Sequence, residues 1–465
     1  MNRAGLPALV AAALTACTVG PDYHGPPHDL TSRRAVSGPF AELGHANAAE
    51  LPLPDHWWRL YNDSRLDDLV VAALAANEDL RSAEANIRAA MAVVAQAKAA
   101  RTPATALAGG VSYGQDGIPT PSASGFLYSI AGSVTYPVDL FGGIRRGIEA
   151  AQDGAEAAVA ARDEVRVVVA AGVIRGFVAA CSANRSYAAA SNVLAIQQHT
   201  LETVERLFRG GRATAFDVSR AQAAVEQSAA LLPGLIATRR SAVYQLATLL
   251  GRPPLEFPVV AEQCTSPPSL NQPIPVGNGD ALLRRRPDIR AAERELAAAT
   301  ATVGVNVAQL YPAISLGGSA ASAAPFSLFG STSSVSFSVG PLVTWTFPNQ
   351  RAIRAEIARA GAGADAAAAN FDATVIEALR QAETALSNYA YQLDNESALR
   401  RARTAAASAS EQAERLYRFG RTDFINVLSA EAALANADAA LSQSAAALAD
   451  DQVSVFQALG GGWEP

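Results

Sequence analysis

The sequence predicts a mainly α-helical chain with a small β part, in which one helix–two strands–long helix unit occurs twice. Three observations lead to this prediction: an internal duplication, two long stretches without proline, and a short segment of alternating apolar and polar residues. The composition agrees, because half of the 465 residues are hydrophobic but only 6% are aromatic. Small apolar side chains at that level suit closely packed helices.

The N-terminus has the pattern of a secretory signal peptide at residues 1–16. A single arginine precedes an apolar run that is shorter than the ~20 apolar residues of a membrane-spanning helix. The string Leu14-Thr15-Ala16-Cys17 resembles a lipobox and predicts cleavage before Cys17, with a covalent lipid on that cysteine. The alternative is an ordinary signal peptide with an incidental cysteine. Thr18 rather than Asp follows the cysteine, which by resemblance to bacterial lipoproteins implies release to the outer membrane.

A constant shift of 209 residues relates the two halves of the chain. It pairs Pro103 with Pro312 and Gly109 with Gly318 without any insertion. Further matching pairs are Arg81 with Arg290, Leu107 with Leu316, Ile144 with Ile353, Arg209 with Arg418, Gly211 with Gly420 and Val218 with Val427. Such a shift indicates a duplicated unit. The predicted organisation is a lipid-anchored N-terminal strap at 17–60, a first repeat at 61–252, a Pro-rich connector at 253–280 and a second repeat at 281–465.

Each repeat contains the signals of a very long helix behind two strands. No proline occurs between Pro137 and Pro233 or between Pro348 and Pro465. The helix predicted from Gly143 to Arg209 would span roughly 100 Å at about 1.5 Å per residue.

The strands are predicted from a period of two. Apolar residues alternate with Ser, Thr and Gly from Val335 to Phe347, with Pro341 as the one interruption, and a weaker copy runs from Phe126 to Tyr136.

No helix behind the signal peptide is predicted to cross a membrane, because the best candidate, Val167 to Cys181, is interrupted by Arg175. If the chain spans a membrane, strands must do so. Four strands cannot close a barrel, and an open edge in lipid would leave backbone groups unpaired at several kcal/mol each. The chain is therefore predicted to form a homotrimer, whose twelve strands make a β-barrel that a long α-helical barrel continues.

Two cysteines remain besides the predicted lipid site. Cys181 lies in an Ala-rich helical stretch and Cys264 in a Pro-rich loop, without CxxC spacing. We interpret both as structural bystanders.

Three strings resemble the TolC-type outer-membrane efflux factors, in particular their NodT-like lipoprotein branch. They are Cys17-Thr-Val-Gly-Pro-Asp-Tyr23, Arg285-Arg-Pro-Asp-Ile-Arg-Ala-Ala-Glu293 and Leu416-Tyr-Arg-Phe-Gly420. The resemblance covers essentially the whole mature chain. It implies a homotrimeric channel in the outer membrane that extends into the periplasm and conducts drugs or other small molecules. It further implies two partners, a periplasmic adaptor protein and an inner-membrane efflux pump.

The turn that ends each long helix is the candidate functional region. Thr214 with Asp217, and Asp423 with Asn426, have the spacing of helix-start patterns, in which a side-chain oxygen accepts otherwise unpaired N–H groups. This purely structural interpretation stays open for both pairs. The functional interpretation is that the two turns form the periplasmic mouth of the channel.

The resemblance implies roles for individual residues at this mouth. Asp217 would accept bonds from Tyr417 and from a nearby base, for which the sequence offers Arg418 and Arg421. Ile425 matches a bulky apolar ring of the family. Asn426 and Ser429 match acidic rings, but this chain has no acid at either position. The mouth is therefore expected to be less electronegative and to hold divalent cations poorly.

Two further clusters leave alternatives open. Arg284, Arg285 and Arg286 are predicted to be a solvated helix start beside Asp288, with a binding patch as the alternative. Trp57 and Trp58 fit either interface anchors of the strap or buried packing.

Several function classes are predicted to be absent. A net charge of −6 leaves no basic surplus for nucleic acid. The sequence has no HExxH, GxSxG or Walker loop, and its histidines have no metal-ligand spacing. We expect no enzyme and no cofactor apart from the lipid on Cys17.

Two other functions remain as alternatives. A lipid-anchored coiled-coil scaffold in the periplasm would have no use for two matched strand pairs. The same channel serving protein secretion cannot be separated by sequence, because the pump is a different chain.

Overall fold

The structure is a computed structural model that describes residues 18–26, 30–31, 33–115, 124–265, 267–270 and 272–462. The chain forms two compact units, which are described separately. The first comprises residues 1–28, 85–159 and 291–372, and the second residues 29–84, 160–290 and 373–465. The predicted signal peptide and Cys17 lie outside the described residues.

The elements follow the predicted order. The first repeat contains α1 (Ser64–Ala76), α2 (Glu78–Ala99), β1 (Ala104–Gln115), β2 (Ser124–Val138), α3 (Gly143–Arg209), α4 (Ala215–Ala229) and α5 (Leu232–Leu249). The second contains α6 (Gly279–Arg285), α7 (Pro287–Ala308), β3 (Ala313–Pro325), β4 (Val335–Thr344), α8 (Arg351–Arg418) and α9 (Phe424–Ala458). Short helical turns lie at Arg34–Ser37, Ala41–Gly44, Trp57–Tyr61, Pro254–Glu256, Val259–Glu262, Phe326–Leu328 and Thr332–Ser334. A two-residue strand, Ala48–Ala49, pairs in parallel with Ile274–Pro275.

The ends of equivalent elements confirm the duplication. Helices α2 and α7 begin and end 209 residues apart, as do the starts of β1 and β3 and the ends of α3 and α8. The repeats differ behind the tip turns, where α9 runs for 35 residues but its counterpart is divided into α4 and α5. Pro233 lies in the first turn of α5. Proline lacks an N–H group and fits only the first turn of a helix, which explains the division.

The strands form one antiparallel sheet of the first unit, in the order β1-β2-β3-β4. Strand β2 is two residues longer than the predicted Phe126–Tyr136 at each end, because residues 124–125 pair with β1 and residues 137–138 pair with β3 beyond the end of β1. Pro341, the one interruption of the alternating pattern, lies inside β4 opposite Leu316, so the strand continues through it as predicted. Proline is tolerated there because β4 is an edge strand of the described chain. Strand β4 ends at Thr344, three residues before the predicted Phe347.

The core of the second unit contains both tryptophans of the strap. Trp57 and Trp58 are 0% and 1% exposed. Trp58 Nε1 donates a hydrogen bond of 2.8 Å to the Asp67 carboxylate. The packing interpretation is therefore correct for both residues, and the interface-anchor alternative is wrong.

A disulfide joins Cys181 to Cys264, so the prediction that these cysteines are bystanders is wrong. The bond fastens the Pro-rich connector to α3 within the second unit. Asn184, one turn further along α3, donates hydrogen bonds of 2.7 Å to the carbonyls of Glu262 and Cys264. The connector is thus held by a covalent bond and by backbone hydrogen bonds, although its sequence has few signals of regular structure.

The three consecutive arginines hold separate parts of the second unit. Arg284 pairs with Asp280, and Arg285 donates to Asp55 at 2.7 Å. Arg286 is buried, with bonds to Asp288 and to the Ala458 carbonyl at 2.6 Å each. The prediction of a solvated helix start holds for Arg284 but is wrong for Arg286, because a buried guanidinium needs all of these partners.

One described helix, α3, is long and apolar enough to cross a membrane by length and composition. Two thirds of its most apolar window are buried, as in the core helix of a folded domain. This is weak evidence for a membrane-spanning helix.

Candidate functional site

The first tip turn joins α3 to α4 and is stabilised by a capping box. Gly211 has φ 69°, a left-handed conformation that glycine adopts without strain. The Asp217 N–H donates to the Thr214 hydroxyl oxygen, and the Asp217 carboxylate accepts from the Thr214 N–H at 2.9 Å. These bonds satisfy backbone groups at the start of α4. The helix-start prediction for Thr214 and Asp217 is confirmed.

The second tip turn joins α8 to α9 and lacks that box. Gly420 has φ 66°, as its counterpart Gly211 does. Asp423 occupies the N-cap, but its side chain makes no capping hydrogen bond. Asn426 instead donates to the Thr422 hydroxyl at 2.8 Å. The predicted capping role of the Asp423 side chain is therefore wrong, and the Asn426 N–H donates to the Asp423 backbone carbonyl at 3.0 Å.

A small apolar cluster holds the two tip turns together within the second unit. Its buried members are Val204, Ala221, Phe424 and Val427. Tyr417 packs against it, with its ring centroid 5.5 Å from that of Phe424. Burial, with the negative charge of Asp217 adding to it, raises the pKa of the Tyr417 phenol. The phenol therefore stays neutral at physiological pH.

The predicted gate residues lie at these turns, but the single chain does not join them as the resemblance implies. The Asp217 carboxylate accepts from the Thr214 hydroxyl, and these bonds lower the pKa of that carboxyl. Arg418 pairs with Glu414 on its own helix. Among the described residues no hydrogen bond joins Tyr417 to Asp217. Ile425, Asn426, Ser429 and Arg421 are exposed.

A buried acid, Glu431, lies two turns along α9 and was not singled out in the sequence. It is 6% exposed and accepts a hydrogen bond of 3.0 Å from Thr200 on α3. Its second oxygen, and the side-chain oxygen of Gln197, are buried without a hydrogen-bond partner in the described part of the chain. Both residues line a cavity of about 540 Å³ that Arg403 and Asp438 also line. No local pattern marks such a residue, because only the fold decides that this face of α9 is covered.

The segment directly behind Cys17 is docked on the first unit. The Val19 N–H donates to the Phe141 carbonyl at 3.1 Å, and Arg145 donates to the Thr18 hydroxyl at 3.0 Å. Further along, Asp22 forms an ion pair with buried Arg146, and Gly20 lies so close to Gly304 that no side chain would fit. Phe141 and Arg145 stand where β2 passes into α3. The first described residue of the strap therefore lies at the junction of sheet and helix.

The described residues contain no group of three or more His, Cys, Asp or Glu side chains that could hold a metal ion. The site at the tips is built from hydrogen bonds and apolar contacts.

Comparison with known proteins decides the family. A profile of outer membrane efflux proteins matches residues 69–252 and 279–461. The chain belongs to this family. Nodulation protein T of Rhizobium leguminosarum bv. trifolii is 28% identical over 462 residues, which cover 97% of this chain and 96% of that protein. Outer membrane protein OprJ of Pseudomonas aeruginosa is 29% identical over 465 residues, with 98% and 95% covered.

A solved structure supports the same assignment. The outer-membrane channel OprN matches with a TM-score of 0.89 and 33% identity, over 97% of this chain and all of that one. The chain is an outer-membrane efflux channel, and the predicted family, fold class and location in the outer membrane are confirmed. The coiled-coil scaffold is excluded as its main function. The relatives of this chain are channel proteins rather than enzymes.

Proposed function

We propose that three copies of this chain form one passive conduit of a tripartite efflux system, which conducts drugs or other small molecules to the outside. The observation that carries the trimer is the four-stranded sheet, whose edge strands β1 and β4 each have one neighbour in the described chain. Large apolar side chains on these edges are exposed, among them Leu107 at 83% and Val339 at 88%. Three sheets side by side would pair every edge in a twelve-strand barrel and place these side chains against lipid.

Mass and conductance together test this proposal. The complex is extracted from outer membranes in mild detergent, its mass is measured by native mass spectrometry, and the same sample is reconstituted for conductance recording. Three chains with discrete conductance steps are expected. A monomer or dimer in native mass spectra, or trimers that conduct no ions, would overturn the proposed conduit.

We further propose the domain organisation given above and a lipid on Cys17. Support comes from the docking of Thr18 and Val19 where β2 meets α3, because a lipid on the preceding residue would then reach the membrane beside the sheet. Mass spectrometry of the mature N-terminal peptide tests for the lipid on Cys17. An acylated cysteine at the new N-terminus is expected, and an unmodified Cys17 would refute the anchor.

The periplasmic adaptor is proposed to dock on the tips of the helices. Large apolar side chains are exposed at both turns: Phe208, Phe216, Leu416, Phe419 and Ile425. We propose that these side chains together provide the apolar surface that a protein partner covers. The inner-membrane pump would supply the energy, so that the proposed channel needs no catalytic group and no cofactor of its own.

The gate is proposed to form between copies at the same turns. Asp217, Tyr417, Arg418 and Arg421 would link neighbouring helices, and Ile425, Asn426 and Ser429 would each form a ring of three. Replacing Asn426→Asp together with Ser429→Asp should make the conductance sensitive to divalent cations, because two acidic rings would then face the pore. An unchanged response to divalent cations would remove these two positions from the pore.

A further inference from the structure

The two hairpins of the sheet have the same register after the 209-residue shift. In the first hairpin Ala104 lies opposite Thr135. In the second Ala313 lies opposite Thr344, which are the same two positions 209 residues later. The duplication therefore extends to individual residue pairs in the strands.

The junction between the repeats gives a template for the junction between copies. Strands β2 and β3 meet there, with Ile130 opposite Ser322 and Val134 opposite Gly318. In a closed ring of repeats, β4 of one copy takes the place of β2, and β1 of the next copy takes the place of β3. The 209-residue shift converts the first pair into Val339 with Tyr113 and the second into Val343 with Gly109.

We propose that β4 pairs with β1 of a neighbouring copy in this register, with Val339 opposite Tyr113 and Val343 opposite Gly109. The inference rests on the proposed trimer and adds to it the residue pairs of its strand junction.

The premature end of β4 supports this register independently. Residues Tyr136–Val138 of β2 pair with β3 alone. Their counterparts, residues 345–347, are not part of a strand in the single chain, although the 209-residue shift pairs Trp345 with another aromatic residue, Tyr136. In the proposed register Trp345 lies opposite Leu107 of the neighbouring copy. The missing strand residues are those whose sole partner is another copy.

The faces of the two strands also match. Leu107, Val111 and Tyr113 lie on one face of β1, with small residues on the other. Val339 and Val343 lie on the apolar face of β4, opposite Gly318 and Ile314. The proposed register continues one apolar face across the junction. A slip by one residue would place the two apolar rows on opposite faces of the sheet.

Cysteine pairs test the register. Residues directly opposite in antiparallel strands have Cα atoms about 4.5–5.5 Å apart, within the range of a disulfide. Val339→Cys with Tyr113→Cys is oxidised in outer-membrane vesicles by oxidised glutathione and analysed on non-reducing denaturing gels. Disulfide-linked species of two and three chains are expected. The matched control, Ile130→Cys with Ser322→Cys, should form its bond within one chain and migrate as a single chain.

A cysteine pair placed outside the proposed register tests whether cross-linking depends on the register or only on the proximity of the two strands. Val339→Cys with Leu107→Cys would lie roughly 20 Å apart at about 3.4 Å per residue and should give single chains only. Linked species from this pair but not from Val339→Cys with Tyr113→Cys would overturn the register. Val343→Cys with Gly109→Cys, controlled by Val134→Cys with Gly318→Cys, repeats the test should a Tyr113 variant not assemble.

Native mass spectrometry of each variant distinguishes failure of the proposed register from failure of the proposed trimer. Intact trimers without linked species from either expected pair would refute the register and leave the trimer standing. Single chains of the unaltered protein in native spectra would refute the proposed trimer itself.

Discussion

Trp57 stacks on Phe456 with ring centroids 4.3 Å apart and an angle of 18° between the rings, which joins the strap to the last helix. Gly461 also packs against the Trp57 ring, so closely that a Cβ atom at this position would lie 2.8 Å from the ring. Both aromatic residues are 0% exposed. Trp57, near the C-terminal end of the strap, is therefore part of the core of the second unit.

Trp57→Ala should destabilise the folded chain by roughly 3–5 kcal/mol, because it removes a large buried ring and leaves a cavity. The measurement is the urea midpoint of the detergent-solubilised protein. Leu51→Ala is the matched control in the same strap, since Leu51 is 58% exposed and should change the midpoint little. Equal shifts for the two variants would contradict the packing role of Trp57.

The disulfide should contribute to stability although it lies far from the tips. Replacing Cys181→Ser together with Cys264→Ser is expected to cost about 2–5 kcal/mol, because the bond closes a loop of 83 residues. Urea unfolding of wild type and of the double variant, each with and without reductant, measures this contribution. The variant should match reduced wild type. A reductant effect on the double variant would assign the stabilisation to another group.

Periodicity and the duplication predicted most of the fold. The proline-free stretch from Gly143 to Arg209 is one helix with those bounds, and the 209-residue shift reproduces the last residue of its counterpart, α8, and the first residue to within one position. These signals are local or repeated, so they can be read without knowing the tertiary contacts. The end of β4 is different, because three of its predicted residues have no strand partner within one chain.

The sequence could not reveal contacts that depend on tertiary packing. Cys181 and Cys264 are far apart in the chain and have no spacing motif. The burial of Arg286 depends on the carbonyl of Ala458, which lies in a distant helix. The capping spacing is present at both tip turns, but only the first turn forms the side-chain capping bonds.

The two tip turns allow a matched comparison of N-cap side chains, one that forms capping hydrogen bonds and one that does not. Thr214→Ala should destabilise the start of α4 by about 1 kcal/mol, because the capping box loses both its hydroxyl bonds. Asp423→Ala should have a much smaller effect, since that side chain makes no capping bond. Hydrogen exchange of the peptides that contain each turn measures both. Faster exchange in Asp423→Ala than in Thr214→Ala would contradict these assignments.

The same capping box should make the stability of the first tip turn depend on pH in the acid range. Hydrogen bonds from the Thr214 hydroxyl and N–H lower the pKa of Asp217 below 3.8. A lowered pKa stabilises the folded state above that value, and the stabilisation is lost as the pH falls through the folded pKa. In Asp217→Asn the backbone N–H groups of the first tip turn should therefore exchange faster than in wild type at neutral pH. Lowering the pH should cause no further loss of protection from exchange in this variant. An acid-induced loss as large as that of wild type would assign it to another carboxyl.

Glu431 should make the tip region less stable as the pH rises. Burial, with the charge of Glu414 adding to it, raises the pKa of this carboxyl above 4.5, while the bond from Thr200 acts in the opposite direction and is smaller. A raised pKa means that the folded state binds the proton more tightly. The stabilisation is complete below 4.5 and is lost as the pH rises through the folded pKa.

Glu431→Gln keeps the shape of the protonated acid and removes this titration. Arg403 and Asp438, which line the same cavity, bond to each other at 2.7 Å and remain in the variant. From below pH 4.5 to neutrality, the wild-type urea midpoint should fall relative to that of the variant, because the variant loses the titration of Glu431 but keeps that of other carboxyls with a raised pKa, such as Glu164 and Asp451. The variant should therefore be the more stable protein at neutral pH. Glu414→Gln, on an exposed face of α8, is the control and should retain most of the wild-type slope. Parallel slopes for wild type and Glu431→Gln would place the titrating group elsewhere. A shallower fall of the midpoint in the variant would identify Glu431 as a buried acid whose protonated form stabilises the contact of α3 with α9.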